Sequence, residues 1–407
     1  MGLTDLEQRL CTLIASRHAA LVDDLALHVG IPTGRNNAAG LNRTRDELCH
    51  RLEKLGAVTT VIPGDVRPAW VGDSGGDIPP TAVCDRTDRT GHGRGARILI
   101  SGHLDTVHDP AGPFQKLTHS ADGKTAIGPG CVDMKGGLVI ALAALEALEE
   151  CGVPSRWSFI MNSDEETGSY HSDSALRATG AKHDCGIALE PALPDGSLVT
   201  ERPGSGQFYI EATGKAAHVG RDFKSGVSAI TAISRACVAA AGIADPERGL
   251  ICNIGRISGG EAANVVPDLA KAWGNVRYFS PELEQEAAER IDALATTGPS
   301  LPRIKVERSF NRPSKPSNPQ TMALAECARM AAADLNQPMK FASTGGVCDG
   351  NNLQAAGCPT IDTLGVRGGG LHTPQEWIEI SSLVERCQLL AVLISRLSQA
   401  WPERKND

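Results

Sequence analysis

The chain has 407 residues, of which 40 are basic and 48 acidic, giving a formal net charge of −8. This length exceeds what one hydrophobic core usually serves, so we expect two domains. The negative charge offers no field that attracts nucleic acid, and no nucleic-acid partner is predicted. The most apolar stretch, residues 138–148, is too short to cross a bilayer, which predicts no membrane span.

Twelve cysteines are scattered along the chain, and none forms a C-x-x-C pair. The first residues, MGLTDLEQRL, lack the basic and apolar regions of a secretory signal. We therefore predict mostly reduced thiols in a cytoplasmic protein.

The first half of the chain alternates helical and strand patterns. Helical apolar spacing extends from Asp5 to about Val29, and a second helix is predicted from Thr44 to Leu55. Residues 64–95 are rich in Gly, Pro, Asp and Arg and are expected to be irregular. Buried strands are predicted at residues 97–101, 157–162 and 185–189, with a helix at 136–150. This alternation indicates an α/β fold with a mostly parallel sheet flanked by helices, whose functional groups lie beyond the carboxyl ends of strands.

The pattern changes near Gly206. Strands are predicted at residues 206–212, 250–257, 270–279 and 303–308, and helices at 225–241 and 281–296. The order β-α-β-β-α-β is typical of a ferredoxin-like α+β unit. Ser280 suits a helix N-cap, and Pro281 suits the first helical turn.

Five separated segments carry candidate metal ligands at predicted strand ends or in loops. They are His103 with Asp105 in SGHLDT, Asp133 in GPGCVDMKGG, Glu165 with Glu166 in NSDEETGS, Glu190 in IALEP, and His372 in GGGLHTP. Two imidazoles and several carboxylates form the ligand set expected for paired zinc-like ions, and they indicate metal-assisted hydrolysis. Because His372 follows the ferredoxin-like unit and the other candidates precede it, that unit is predicted to be an insertion. The predicted division is 1–203 and 312–407 for the metal-binding domain, and 204–311 for the insert.

These segments, together with GKAAHVG and NVVPD, resemble the dinuclear-zinc exopeptidases and deacylases. This family includes carboxypeptidase G, succinyl-diaminopimelate desuccinylase, acetylornithine deacetylase and aminoacylase. The resemblance covers nearly the whole chain. STGGVCDGNN followed by LGVRGGGLHTPQEW is most similar to the glutamate-carboxypeptidase-like branch. The family resemblance implies a zinc-exopeptidase-like fold whose inserted domain serves as a lid and in dimerisation.

The resemblance also implies the metal ligands. Asp133 would bridge two zinc ions in each subunit, with His103 and Glu190 completing one site. Glu166 and His372 would complete the other. Cobalt and manganese are alternative ions, although affinity order alone favours zinc over manganese.

Three residues take catalytic roles by the same resemblance. Asp105 would hold the imidazole of His103 in its ligating orientation. Glu165 would act as general base and then pass its proton to the leaving amine. His218 would stabilise the charge that builds on the carbonyl oxygen, reaching the site from the partner subunit, which implies a homodimer.

Four residues match positions that contact the substrate. Asn264 and Arg312 are two of them, the arginine suiting a bidentate grip on a terminal carboxylate. Gly345 and Gly346 would let the backbone approach the same carboxylate closely.

Other residues near these motifs receive different interpretations. Cys131 and Cys348 depart from the family pattern, and we interpret both as small buried residues in preference to ligands. His108, His119 and His171 are interpreted as bystanders. Glu201 and Arg202 stand where carboxypeptidase G carries a lysine and a serine, which weakens the case for folate-type substrates.

The sequence therefore predicts a zinc-dependent hydrolase of an amide bond beside a free carboxylate. Its substrate would be a small peptide or N-acyl amino acid, with C-terminal glutamate favoured. One alternative is a deacylase for another N-acylated amino acid or diamino acid. Another is a catalytically silent relative that uses the fold for binding, against which the intact Glu165 and complete ligand set argue.

Overall fold

A computed structural model of the chain describes residues 2–72, 76–86 and 95–401. The helices are Asp5–Ser16 (α1), His18–Val29 (α2), Ala38–Lys54 (α3), Gly136–Glu150 (α4), Asp173–Gly180 (α5), Val219–Asp222 (α6), Ala229–Ala241 (α7), Pro281–Asp292 (α8), Pro319–Asp334 (α9), Asp349–Ala355 (α10) and Ser381–Gln399 (α11). The strands are Val58–Ile62 (β1), Thr81–Asp85 (β2), Arg97–His103 (β3), Thr118–His119 (β4), Thr125–Ile127 (β5), Arg156–Asn162 (β6), Cys185–Ala188 (β7), Leu198–Glu201 (β8), Gly204–Thr213 (β9), Ala217–His218 (β10), Leu250–Gly259 (β11), Val265–Val266 (β12), Leu269–Tyr278 (β13), Arg303–Arg312 (β14), Phe341–Ser343 (β15), Thr360–Ile361 (β16), Gly368–Gly369 (β17) and Trp377–Glu379 (β18).

The main sheet has six strands in the order β1-β2-β6-β3-β7-β16. Strands β6, β3, β7 and β16 pair in parallel, whereas β2 pairs antiparallel with both of its neighbours. The residues of β3, β6 and β7 are almost all buried, as expected for strands covered by helices on both faces. The predicted α/β class with a mostly parallel sheet is therefore confirmed.

The direction of these strands brings the candidate ligands together. His103 is the last residue of β3, Glu165 follows the end of β6 by three residues, and Glu190 follows the end of β7 by two. Since β3 lies between β6 and β7 and runs parallel to both, the three carboxyl ends meet at one edge of the sheet.

A second, four-stranded sheet has the order β11-β13-β9-β14, with antiparallel pairing throughout. Helices α7 and α8 pack against it and share with it an apolar core that includes Phe208, Ile233 and Tyr278. The order of strands and helices is that of the predicted ferredoxin-like insert, which is confirmed. The exact boundaries of the division at residues 204 and 311 stay a prediction.

Three local predictions differ from the structure. The pattern from Asp5 to Val29 forms two helices, which meet at Arg17, where the backbone leaves the helical region at φ −94° and ψ 12°. Helix α3 begins at Ala38, earlier than predicted, because the side chain of Asn37 caps it by accepting the N–H of Gly40. The segment expected to be irregular contains β2, a strand of five residues that is too short to show a clear period. Residues 73–75 and 87–94 of that segment lie outside the described residues.

All twelve cysteines are present as thiols that form no disulfide. Of the helices in the described part of the chain, each is too short or too polar to cross a bilayer.

The chain enters and leaves the insert through two paired residues. Arg202 and Lys315 exchange backbone N–H···O bonds of 3.0 Å in both directions. Their side chains converge on the carboxylate of Asp362, with Arg202 Nη2 2.8 Å from Oδ1 and Lys315 Nζ 3.2 Å from Oδ2. All three side chains are buried. Because a buried charge without a partner is costly, Asp362 ties both connecting segments to the main sheet next to β16.

We expect Asp362→Asn to lower the free energy of unfolding by about 3–5 kcal/mol, because two buried cations lose their counter-charge. Urea denaturation followed by circular dichroism measures this loss. The control is Asp292→Asn, which makes the same change at a solvent-exposed pair with Arg308 and is expected to stay close to wild type. Equal losses of unfolding free energy in the two variants would contradict the assignment of Asp362 as the counter-charge of Arg202 and Lys315.

Candidate metal centre

Two groups of potential ligands share the carboxylate of Asp133. One group is His103, Asp133 and Glu190, and the other is Asp133, Glu166 and His372. Within each group, one ligand atom from each residue lies within 4.8 Å of the others. The carboxylate is divided between the groups, since Oδ1 lies 3.1 Å from Nε2 of His103 and Oδ2 lies 3.6 Å from Nε2 of His372. The five predicted metal ligands are thus brought together as two adjoining sets.

The orientation of the His103 ring follows from its other nitrogen. Nδ1–H donates to the backbone carbonyl of Asp105 over 2.9 Å, which leaves Nε2 facing Asp133. The carboxylate of Asp105 is farther from Nδ1, at 3.5 Å, and instead accepts the backbone N–H groups of Glu165 and Glu166. Asp105 therefore contacts both the ring of His103 and the turn that carries the two glutamates.

The charges of this centre are crowded in a buried space. Burial, together with the carboxylates of Glu165 and Asp133, raises the pKa of Glu190 well above its usual range. Burial also raises the pKa of Glu166 to about 7. Hydrogen bonding to Asp133 and Glu166 raises the pKa of His372 to about 10. Bound cations relieve this repulsion between carboxylates, so the residues present fit a metal centre.

His372 reaches the centre from a loop between β17 and β18. Its backbone has a positive φ of 62°, which is uncommon for a residue with a side chain, and its side chain is 55 % exposed. Nε2 of this ring lies 3.2 Å from Oε2 of Glu166. The exposed imidazole therefore forms the solvent-facing side of the second ligand group.

Glu165 does not belong to either ligand group, and its position is held by Arg312. Nη1 of Arg312 donates to Oε1 of Glu165 over 2.6 Å, and Nη2 donates to the carbonyl of Glu165 over 2.7 Å. Nη2 also donates to Ser169 Oγ over 2.7 Å, and Asp349 lies behind it at 3.8 Å. The guanidinium that was predicted to grip the substrate thus contacts the predicted general base, and its substrate role stays a prediction.

A cavity of about 520 Å³ opens beside this centre. It is lined by Arg35, Arg67, Glu165, Glu166, Thr167, Gly168, Tyr170, Ser205, Gln207, Asn275, Arg277, Asn311, Arg312, Gly346, Val347 and His372. Four of these residues are arginines, which favour an anionic ligand. Arg277 is not among the site residues predicted from the sequence, although its alternation with buried residues along β13 places it on the helix-free face of the insert.

Arg277 has free hydrogen-bonding capacity toward this cavity. Its Nε donates to Asn275 Oδ1 over 3.1 Å, while its Nη1 is buried without a hydrogen-bond partner among the described residues. Burial and the nearby charge of Arg312 lower its pKa. A carboxylate in the cavity would satisfy both the unpaired donor and the excess positive charge.

The remaining predicted site residues differ in their positions relative to the cavity. His218 and Asn264 are exposed neighbours in the insert, joined where Val219 N–H donates to the carbonyl of Asn264, and neither lines the cavity. Gly346 lines the cavity and accepts a bond from Arg202, whereas the side of Gly345 where a Cβ would stand is open. The roles predicted for these four residues are not decided by their positions.

Two interpretations of neighbouring residues can be compared with the structure. Cys131 and Cys348 are fully buried, burial raises the pKa of both thiols, and neither belongs to a ligand group. The interpretation of His108 as a bystander stays a prediction, and the structure places its Nε2 2.5 Å from Oε2 of Glu376. Glu376, which the sequence analysis also missed, stands four residues after His372 in HTPQEW.

Several known proteins are similar to this chain in sequence or in fold. Residues 99–396 match the model of peptidase family M20/M25/M40. Carboxypeptidase G2 of Pseudomonas sp. is 28 % identical over 388 residues, which cover 93 % of this chain and 89 % of that protein. Succinyl-diaminopimelate desuccinylase 2 of Shewanella loihica is 27 % identical, covering 74 % of this chain and 85 % of that protein.

Among solved structures, the aminopeptidase PepT from Bacillus cereus superposes with a TM-score of 0.72 at 23 % identity, covering 94 % of this chain and 99 % of that one. The fold is therefore shared over nearly the full length of both chains. With most of its length matched by the family model, the chain belongs to peptidase family M20/M25/M40 and is a metal-dependent amide hydrolase.

Proposed function

We propose that the protein is a dinuclear zinc hydrolase that cleaves an amide bond beside a free carboxylate in a small peptide or N-acyl amino acid. The observation that carries the proposal is the division of the Asp133 carboxylate between two ligand groups beside an arginine-lined cavity. One ion would be held by His103, Asp133 and Glu190, and the other by Asp133, Glu166 and His372. Zinc suits this imidazole and carboxylate set, with cobalt or manganese as alternatives.

When bound, the ions supply Lewis acidity that polarises the scissile carbonyl and lowers the pKa of a water molecule. Glu165 takes a proton from that water on a carboxylate oxygen and delivers it to the nitrogen of the leaving amine. Its backbone is held at both ends of the residue, because the N–H donates to Asp105 and the carbonyl accepts from Arg312. This fixed backbone limits the positions that the base can adopt.

The substrate carboxylate is proposed to bind among the cavity arginines. Nη1 of Arg277 is buried and has no hydrogen-bond partner within the described part of the chain, while Arg312 would have to exchange its contact with Glu165 for one with the substrate. C-terminal glutamate is the favoured residue, because STGGVCDGNN and LGVRGGGLHTPQEW resemble the glutamate-carboxypeptidase-like branch, and a carboxypeptidase is among the relatives. Deacylation of another N-acyl amino acid or diamino acid is the second candidate, which the desuccinylase relative favours.

The insert, residues 204–311, is proposed to serve as lid and dimerisation domain in a homodimer. His218 and Asn264 are exposed and do not line their own chain's cavity, which supports their contribution to the site of the partner subunit. We also propose a cytoplasmic location, which twelve cysteines without a disulfide favour and which cell fractionation would test.

The hydrolysis of C-terminal dipeptides and N-acyl amino acids tests the proposed reaction. We expect a chelator to abolish hydrolysis and zinc to restore it, with the free acid of each substrate preferred over its methyl ester. Glu165→Gln should keep its metal, measured by plasma mass spectrometry, and lose roughly 10²- to 10⁴-fold in kcat because the proton acceptor is gone. Hydrolysis that survives chelation, or a fully active Glu165→Gln enzyme, would refute the proposed mechanism.

Mixing two inactive variants tests whether His218 acts across the dimer. Homodimers of Glu165→Gln should be slow because they lack the general base. Homodimers of His218→Ala should be slow because they lack the residue that stabilises the charge on the carbonyl oxygen. In a heterodimer, the subunit with intact Glu165 would receive His218 of the partner subunit. After subunit exchange, we expect about a quarter of wild-type activity, since half of the dimers would each hold one complete site.

The control for exchange is co-purification of the two variants through different affinity tags, which only an exchanged dimer carries together. If exchanged dimers form and activity does not rise above the mean of the two variants, the assignment of His218 to the neighbouring site is wrong.

A further inference from the structure

Glu376 is a buried carboxylate that lies beneath the loop carrying Asp133. Its side chain is 1 % exposed. Oε1 accepts the backbone N–H groups of Val132 and Asp133, each over 3.0 Å. Oε2 accepts the backbone N–H of Gly130 over 2.8 Å and the Nε2–H of His108 over 2.5 Å. One carboxylate therefore satisfies three buried backbone donors within four residues of the loop.

This loop needs external support because its backbone is not part of a regular ladder. Asp133 has φ −118° and ψ 92°, outside the helical region, and stands three residues before α4 begins. Gly130 has a positive φ of 69°, and a Cβ at this position would stand 2.5 Å from Cγ2 of Thr106. The conformation that presents the Asp133 carboxylate to both ligand groups is thus specified by Gly130 and by the bonds to Glu376.

Glu376 belongs to the same segment as one of the proposed ligands. His372 precedes it by four residues, and the carbonyl of Glu376 accepts the N–H of Gly128, at the start of the Asp133 loop. Strand β18, which follows Glu376, pairs with β5, which precedes that loop. Residues 372–376 therefore connect His372, which belongs to the second ligand group, to the backbone of the loop that carries Asp133. Asp133 is the residue that both groups share.

We propose that Glu376 is a positioning residue for the metal centre: it holds the backbone of Asp133 so that the two carboxylate oxygens of Asp133 face the two ligand groups. His108 supports it by donating to Oε2. The inference rests on the proposed function only in requiring that the two ligand groups bind metal. Its readout is metal affinity, which does not depend on the identity of the substrate.

Glu376→Gln tests the proposal. Glutamine has nearly the same volume, but its amide nitrogen replaces an acceptor with a donor. Both carboxylate oxygens of Glu376 accept at least one backbone N–H of the loop. In either orientation of the glutamine side chain, its amide nitrogen would therefore face a backbone donor instead of accepting from it. We expect roughly 10- to 100-fold weaker binding of zinc, as is typical when a partner of a metal ligand is lost. Competition with a chelator of known affinity measures this change, and the visible spectrum of the cobalt-loaded protein should also shift.

A second variant separates positioning from general stability. Glu7 is also buried, accepts the backbone N–H of Thr4 over 2.8 Å and pairs with Arg396, but it lies on α1, outside the ligand groups. Glu7→Gln is expected to lower the midpoint of thermal unfolding while leaving zinc affinity and the cobalt spectrum unchanged. His108→Ala, which keeps the three backbone bonds, should weaken zinc binding less than Glu376→Gln does.

The outcomes distinguish this inference from the proposed function. If the folded wild-type protein binds no zinc or cobalt, the proposed function fails and this inference fails with it. If the wild type binds metal and folded Glu376→Gln binds it with the same affinity and spectrum, the positioning role alone is overturned. If Glu7→Gln weakens metal binding as much as Glu376→Gln does, the effect is general destabilisation and the positioning role is again overturned.

Discussion

The shared carboxylate of Asp133 is the constraint on which the candidate centre depends. Its two oxygens face two histidines that come from distant parts of the chain, His103 at the end of β3 and His372 in the loop after β17. Each ligand group also contains a glutamate, Glu190 in one and Glu166 in the other, and burial together with the charge of Asp133 raises the pKa of both carboxyl groups. The geometry of one side chain thus links two ligand groups into a single centre.

The remainder of the fold positions the other candidate ligands and the cavity residues around that side chain. Parallel strands β6, β3 and β7 bring their carboxyl ends to one edge of the main sheet, which places His103 and the glutamates near one another. The insert contributes Arg277 to the cavity from its helix-free face. The ion pairs of Asp362 fix the two segments that connect the insert to the main sheet. A few buried charges therefore hold the segments that connect the insert, and with it Arg277, to the main sheet.

Much of this arrangement was predictable from sequence because it depends on residue type and strand position. Buried strands such as 97–103 and 156–162 have clear apolar runs, and the ligands follow them directly. The contacts that were missed join segments far apart in the chain. Nothing local indicates that Arg312 meets Glu165, 147 residues away, or that Glu376 accepts the N–H of Gly130, 246 residues away. The short strand β2 was missed because five residues give too little periodicity to separate a strand from a loop.

The number of zinc ions bound by single-ligand variants tests the central claim most directly. Equilibrium dialysis followed by plasma mass spectrometry would count the ions in folded wild-type protein, Asp133→Ala, Glu190→Gln and His372→Ala. The shared carboxylate predicts two ions in the wild type, close to one in the Glu190 and His372 variants, and neither ion retained at wild-type affinity in the Asp133 variant. An Asp133→Ala protein that keeps one ion with wild-type affinity would contradict the sharing of this carboxylate between two metal sites.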